Sequence, residues 1–307
     1  MGDSRAGAVA VARVGTRARK GWRLPDLTGW GFVLPASLVI VGLSIFPAIW
    51  ALLLSLRDGD LITGGSYVGL QNYRDMLDDT ALHAAAGHTL LYTVLFVPGS
   101  IVLGLVLATA LNLPIRFIGL YRTCIFVPYV VSAAATGILA NFVFDPDFGI
   151  VNAAFRALGL PGMGFLQDPD QAMITLVVVS LWGGVGMPAV VYLAALQDIP
   201  KQLVEAARVD GAERRHVFRH VTLPQLRPAT VFLAIWQTIT ALQLFDLVYT
   251  TTKGQPLDST TVIVFYLYRQ AFQLFHSGYG AAVAYGLFVV TLVASAGALW
   301  YTRRAEA

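Results

Sequence analysis

Six stretches of this chain are too long and too apolar to lie in water: 32–56, 88–111, 124–144, 172–196, 229–250 and 281–301. A helix needs about 20 residues to cross the hydrocarbon of a bilayer. There every backbone N–H and C=O must be paired, and a single segment achieves this only as a helix. Strand-like alternation is absent. The fold class expected is all-α: a polytopic membrane protein with six transmembrane helices over residues 31–301. Composition agrees, since 56% of residues are hydrophobic and only 13% charged, against about 25% charged in soluble domains. The mean hydropathy is +0.66.

The ends and loops set the topology. Residues 1–30 form a basic tail carrying Arg5, Arg13, Arg17, Arg19, Lys20 and Arg23. The run after it is too long for a signal-peptide core and lacks a small-x-small exit, which makes it an uncleaved first span. With the N-terminus inside, the inner segments also collect Arg116, Arg122, Lys201, Arg208, Arg214, Arg215, Arg219, Arg227, Arg303 and Arg304. The outer ones hold only Arg57, Arg74, Arg156, Lys253 and Arg269. The positive-inside rule then puts both termini, including the short tail 302–307, and the loop at 197–228 in the cytoplasm of a multi-pass cell-membrane protein. Two further apolar stretches are shorter or broken. Residues 262–275 read as a helix at or partway into the outer interface, and 149–166 as an external helix and turn.

Reactive chemistry is hard to find. The single Cys124 excludes an intrachain disulfide and a cysteine-rich metal site, and its apolar surroundings make it a small packing residue. His216 and His220 share a helical face at metal-ligand spacing. They have no third partner, so a solvated basic face is expected and no metal. No nucleophile elbow or phosphate-binding glycine loop occurs, which places a membrane enzyme last among the functions considered. A net charge of +3 gives no reason to invoke nucleic acid.

The fourth and fifth runs are the unusual ones. Gly183, Gly184, Gly186 and Pro188 interrupt the fourth, just after Ser180 and Trp182, with Met187 inside the break. Such interruptions line a cavity or allow close helix packing. The fifth carries Trp236, Gln237, Thr238, Thr240, Gln243, Asp246 and Tyr249. On a regular helix Trp236, Gln237, Thr240 and Tyr249 share a broad face, with Gln243 between the others. Aromatic planes with amide and carboxylate groups suit a sugar. The candidate cavity residues are Ser180, Trp182, Gly184, Trp236, Gln237, Thr240, Gln243 and Asp246, to which the family resemblance given below adds Met187 by position. Asp246 is read as structural, solute-contacting or proton-coupling. The last of these carries the alternative function, a standalone ion-coupled secondary transporter.

The charged stretch Glu205 to Pro224 reads as two short helices around a glycine. The first runs from Ile199 to Val209 with Asp198 as N-cap and Pro200 in the first turn. Gly211 permits the reversal. The second runs from Glu213 to His220 and stops before Pro224. The order Glu205-Ala206-Ala207, then Asp210-Gly211, then Val221-x-Leu223-Pro224 resembles the cytoplasmic EAA loop of ABC-importer permeases, with Val221 where the family usually has isoleucine.

Further stretches resemble the carbohydrate branch of those permeases, which includes maltose and glycerol-3-phosphate subunits. They are GLQNYRDML at 69–77, YRTCIFVPYVVSAAATGIL at 121–139, LQDIP at 196–200 and LFDLVYTTTKGQP at 244–256. The chain departs at His88-Thr89, where Asn-Thr is usual, and at Gly254-Gln255-Pro256, where Gly-Gly-Pro is usual. The resemblance implies a permease subunit of an ATP-driven importer that moves a sugar or sugar-like solute by alternating access. Glu205, Ala206, Ala207, Asp210, Gly211, Leu223 and Pro224 would be its ATPase-coupling residues. It implies a second permease chain of different sequence, an ATPase dimer on the Glu205 loop and an extracytoplasmic solute-binding protein. It also implies no cofactor on this chain, with ATP and Mg held by the ATPase.

Overall fold

The computed structural model describes residues 27–59, 65–114 and 116–306, so most of the basic tail at 1–30 lies outside the described residues. Among the described residues there is no strand, only an isolated antiparallel bridge between Arg57 and Tyr67. The chain divides after Trp50. The N-terminal unit is helical: α1 (Leu27–Ile40) passes through a π-turn at Val41–Ile45 into α2 (Phe46–Ser55).

The second unit begins within α2 and continues through α3 (Gln71–Asp78) and α4 (Thr80–Leu111). Within it Asn72, from the GLQNYRDML stretch, is buried and donates from Nδ2 to the carbonyls of Ser55 and Arg57, both at 2.8 Å. These bonds satisfy acceptors freed at the end of α2, as helix C-termini require. Next come α5 (Ile118–Val130), α6 (Ala133–Val143), α7 (Ile150–Ala157), α8 (Pro169–Gly184) and α9 (Gly186–Asp198). The loop helices α10 (Lys201–Val209), α11 (Arg214–Val217) and α12 (Leu223–Gln225) follow, then α13 (Arg227–Leu242), α14 (Asp246–Thr250), α15 (Ile263–Tyr268) and α16 (Ser277–Glu306).

Four helical stretches are individually long and apolar enough to span: 33–55, 80–111, 227–250 and 277–298. Two bent pairs, α5–α6 at 100° and α8–α9 at 46°, bring the number to as many as six. The second span starts at Thr80, well before the expected position 88, because Asp79 caps it: its Oδ1 accepts from the N–H groups of Ala81 at 2.9 Å and Leu82 at 3.1 Å. The third run is broken rather than straight. Pro128 lies in the last turn of α5, and the Ser132 hydroxyl accepts from the Ala135 N–H at 3.3 Å, starting α6 afresh.

Helix α4 is the pillar of this unit. Its 32 residues extend about 48 Å at 1.5 Å per residue, and it contributes to three apolar clusters in turn. Leu82 and Ala85 pack with Tyr266 and Val283; Tyr92 and Phe96 with Leu176, Val248 and Phe265; and Ala108 and Leu111 with Tyr192, Leu226 and Leu233. Its other face presents Leu90, Val94, Val102 and Val106 outward. Apolar residues on both faces are what a helix bordering lipid requires. Cys124 is exposed on this chain, not packed as the sequence suggested. Residues 262–275 form α15 and a π-turn at Arg269–Gln273, too short to cross a bilayer. Residues 149–166 form α7 and a turn, as expected.

Candidate functional site

The loop at 197–228 departs from its expected shape at both ends. Asp198 is the last residue of α9, and Pro200 takes the N-cap position of α10 without a side-chain cap, so α10 starts only at Lys201. Gly211 has φ +83°, a left-handed conformation in which only glycine is free of strain. The Ala212 N–H bonds the Ala207 carbonyl at 2.9 Å and the Gly211 N–H bonds Arg208 at 3.0 Å, closing the helix end. The second helix does not stop before Pro224. It runs from α11 through a π-turn at Phe218–Thr222 into α12, and Leu226 then joins it to α13. The wider π-turn accommodates a proline that has no N–H to give. Glu205, Ala206, Asp210, Gly211 and Leu223 are exposed, while Ala207 and Pro224 are half-buried. The ring of His220 stacks on that of His216 at 4.0 Å, and both are exposed.

The break that precedes α9 and the end of α13, the helices that flank this loop, meet at one cavity. It has a volume of ≈ 460 Å³ and is lined by Ser180, Gly183 and Gly184 from the end of α8 and by Thr240, Gln243 and Asp246 from α13 and the break after it. Tyr92, Phe96, Tyr129, Thr136 and Phe245 supply the rest of its polar and aromatic wall. Where α8 and α9 part, Gly186 lets α5 come close: a β-carbon would sit 3.0 Å from the Ile125 carbonyl oxygen and 3.1 Å from Tyr129 Cβ. The cavity therefore owes its floor to α5 reaching the break.

Five of the nine candidate cavity residues meet there: Ser180, Gly184, Thr240, Gln243 and Asp246. The others do not. Trp182 is exposed and lines a separate apolar pocket of ≈ 270 Å³. Met187 packs on the cluster around Tyr192 and Leu193. Trp236 is exposed and stacks on Phe232, and Gln237 is buried with its Nε2 unpartnered. The expected common face of Trp236, Gln237, Thr240 and Tyr249 is thus split. α13 ends at Leu242, and Asp246 opens the new helix α14 instead of continuing a straight span. Tyr92, Tyr129 and Thr136 escaped the sequence reading as cavity residues, for their positions on α4, α5 and α6 carry no local polar pattern, and so did Phe245, in the unforeseen break before α14.

A family model described as binding-protein-dependent transport system inner membrane component matches residues 100–305, more than half of the chain. This chain belongs to that family. The permease is 36% identical to the lactose transport system permease protein LacF of Rhizobium radiobacter over 89% of its own length and 93% of LacF. A probable ABC transporter permease of Pyrococcus horikoshii is 31% identical over 92% of this permease and 99% of that protein. In fold, the permease matches a chain in the crystal structure of a bacterial alginate ABC transporter in complex with an alginate pentasaccharide-bound periplasmic protein. The TM-score is 0.81 at 24% identity, covering 91% of this permease and 95% of that chain.

At the end of the permease away from the loop, Asp79 gathers a polar clasp. Its Oδ2 accepts from the phenols of Tyr266 and Tyr279, Gln270 donates to the Tyr266 oxygen at 2.7 Å, and His276 Nδ1 lies 3.2 Å from Gln270 Oε1. Burial raises the Asp79 carboxyl, but its hydrogen bonds from Tyr266, Tyr279, Leu82 and Ala81 together outweigh that and hold it below its ordinary value. Burial first, and the Asp79 carboxylate second, push the Tyr266 phenol up to about 12. The two residues that depart from the usual family pattern, His88 and Gln255, both sit in local hydrogen bonds, the Gln255 side-chain oxygen accepting from the Leu257 N–H at 3.2 Å. His88 Nδ1 lies 3.1 Å from the Thr261 carbonyl, and Thr89 Oγ1 accepts the Ile263 N–H at 2.9 Å, holding the start of α15. Gly254 at φ +85° sits so close to Thr261 Oγ1 that a β-carbon would lie 2.4 Å away.

Proposed function

We propose that this permease forms one half of the membrane pathway of an ATP-driven importer for a sugar or sugar-like solute. The observation that carries the reading is the continuity between loop and cavity: α9 runs from the Gly184 break to α10, and α13 runs from the far end of the same loop to Gln243. With its 13 residues, α9 is a lever about 20 Å long at 1.5 Å per residue. A displacement of the loop reaches the cavity through these two helices, interrupted only by the short junction before Lys201 and the 46° bend beside Gly184, as rigid-body switching of packed helices allows.

The solute class follows from the wall. Ser180, Thr240, Gln243 and Asp246, with hydroxyl, amide and carboxylate groups, line the same space of ≈ 460 Å³ as the rings of Tyr129 and Phe245. Sugars offer hydroxyls to the first and C–H faces to the second. The relatives' names point the same way: lactose, sulfoquinovosyl glycerol and sn-glycerol-3-phosphate transport. In this reading the cytoplasm holds both termini, the tails at 1–30 and 302–307 and the coupling loop. A second permease chain completes the pathway, and an extracytoplasmic binding protein delivers the solute. ATP and Mg²⁺ are bound by an ATPase dimer seated on Glu205, Ala206, Ala207, Asp210, Gly211, Leu223 and Pro224, and by no site on this chain.

Purification of the tagged chain in mild detergent, followed by uptake in reconstituted vesicles, tests this. Retention of an ATPase and a second permease, their loss on Glu205→Lys, and uptake that requires ATP are expected. Uptake by the chain alone driven by an ion gradient, abolished by Asp246→Asn, would replace the reading with an ion-coupled transporter.

A further inference from the structure

A second cavity of ≈ 640 Å³ lies between the loop and the ends of the spans. Its inner wall includes Leu113, just past the end of α4, and Leu196 on α9. Its rim is formed by Lys201 and Arg208 of α10 and Arg214 of α11, against Glu205 as the only acid lining it. All three cations are exposed. Among the described residues the one ion pair is Arg269–Asp258, so neither these cations nor Glu205 is paired. The cavity therefore joins an excess of positive charge to an apolar wall beside the ends of α4 and α9.

We infer that this cavity is a binding site for an anionic phospholipid of the cytoplasmic leaflet. The phosphate lies among Lys201, Arg208 and Arg214, and the acyl chains lie along Leu113 and Leu196. Basic pockets at the cytoplasmic ends of membrane helices take such headgroups, each cation near the surface adding to the attraction. A soluble anion would use the cations and leave the apolar wall wet, whereas a lipid covers both. The inference rests on the cytoplasmic placement of the loop proposed above. A lipid held here touches α10 directly, and so makes the set of the coupling helix depend on the composition of the leaflet.

The test is native mass spectrometry of the full chain, purified with whatever partners it retains and exchanged into mixed phosphatidylglycerol and phosphatidylcholine. Phosphatidylglycerol should be retained preferentially. The double variant Lys201→Gln/Arg214→Gln should lower its retention at least about fivefold, while the equally charged change Arg215→Gln/Arg219→Gln should not. Equal retention of the two lipids, an unchanged double variant, or an equal loss in the control would overturn the inference. So would displacement of the lipid by excess inorganic phosphate, which would assign the site to a soluble anion. The lipid signal is read whether or not an ATPase is present, so loss of the ATPase counts against the importer reading alone.

Discussion

The hydroxyl of Tyr192 donates to Thr230 Oγ1 at 2.9 Å, and the Thr230 hydroxyl in turn donates to the Leu226 carbonyl at 3.0 Å. Tyr192 is on α9 and Thr230 on α13, the two helices that leave the loop, and Tyr192 is completely buried. The bond thus ties the two helices together, halfway along α9 and in the first turn of α13.

Tyr192→Phe removes this tie while keeping the ring packed against Ala108 and Leu233. Thr230 keeps its bond to Leu226, so no buried group is orphaned and the cost is that of one hydrogen bond, about 1 kcal/mol. Tyr192→Ala opens a cavity as well and costs about 3–5 kcal/mol, the range for loss of a buried aromatic ring. Thermal unfolding in detergent separates the two. If the tie couples the levers, Tyr192→Phe also lowers solute moved per ATP hydrolysed in reconstituted vesicles, whereas a purely structural bond leaves that ratio unchanged.

The Asp79 clasp makes stability depend on acid. Its carboxyl is held below the ordinary value of 3.8, so folding favours the charged form. That contribution is fully present above the unfolded value and is lost as pH falls through the lower folded one. The stability gap between the native protein and Asp79→Asn should accordingly be constant above about pH 5 and shrink below about pH 4. Asp79→Ala should be the more damaging change, because it also removes the cap of α4, typically worth about 1 kcal/mol. A gap that widened in acid would contradict the assignment.

Close approach of α4 and α9 depends on Gly104. A β-carbon there would lie 2.5 Å from Pro188 Cβ, whereas one at Gly87 on the same helix meets nothing within 4 Å. Gly104→Ala should destabilise the protein by about 1–3 kcal/mol through overpacking. Gly87→Ala should be neutral or stabilising, since alanine is the better helix former by about 1 kcal/mol. Unfolding midpoints of the two variants make the comparison, and similar behaviour would mean that the helices can separate at no cost.

Much of this architecture was legible in the sequence because membrane spans announce themselves by length and composition. The Gly183–Pro188 interruption was visible for the same reason, as was the reversal at Gly211. The broken third run was not, since Ser132 looks like any small residue until its hydroxyl is seen capping α6. Nor was the Asp79 clasp, whose phenols come from 187 and 200 residues away. The cavity was half legible. Ser180 and Gly184 stand beside a visible break, but Trp236 and Gln237 were placed on a straight helical wheel. The real helix ends at Leu242, and that turns Gln243 and Asp246 into the cavity and leaves Gln237 in the packed interior.

This difference yields a direct test of the cavity. Gln243 and Asp246 line it and are exposed to it, so Gln243→Ala and Asp246→Ala should each weaken solute affinity by about tenfold, the value of one good polar contact. Gln237 is 4% exposed and its Nε2 has no hydrogen-bond partner. Replacing an unpartnered buried amide by an apolar group of similar size relieves a desolvation cost. Gln237→Leu should therefore leave affinity unchanged and hold or raise the unfolding midpoint. Solute-dependent ATP hydrolysis in the reconstituted complex reads the first, and thermal unfolding the second. A loss of affinity in Gln237→Leu with none in Gln243→Ala would move the solute path to the other side of α13.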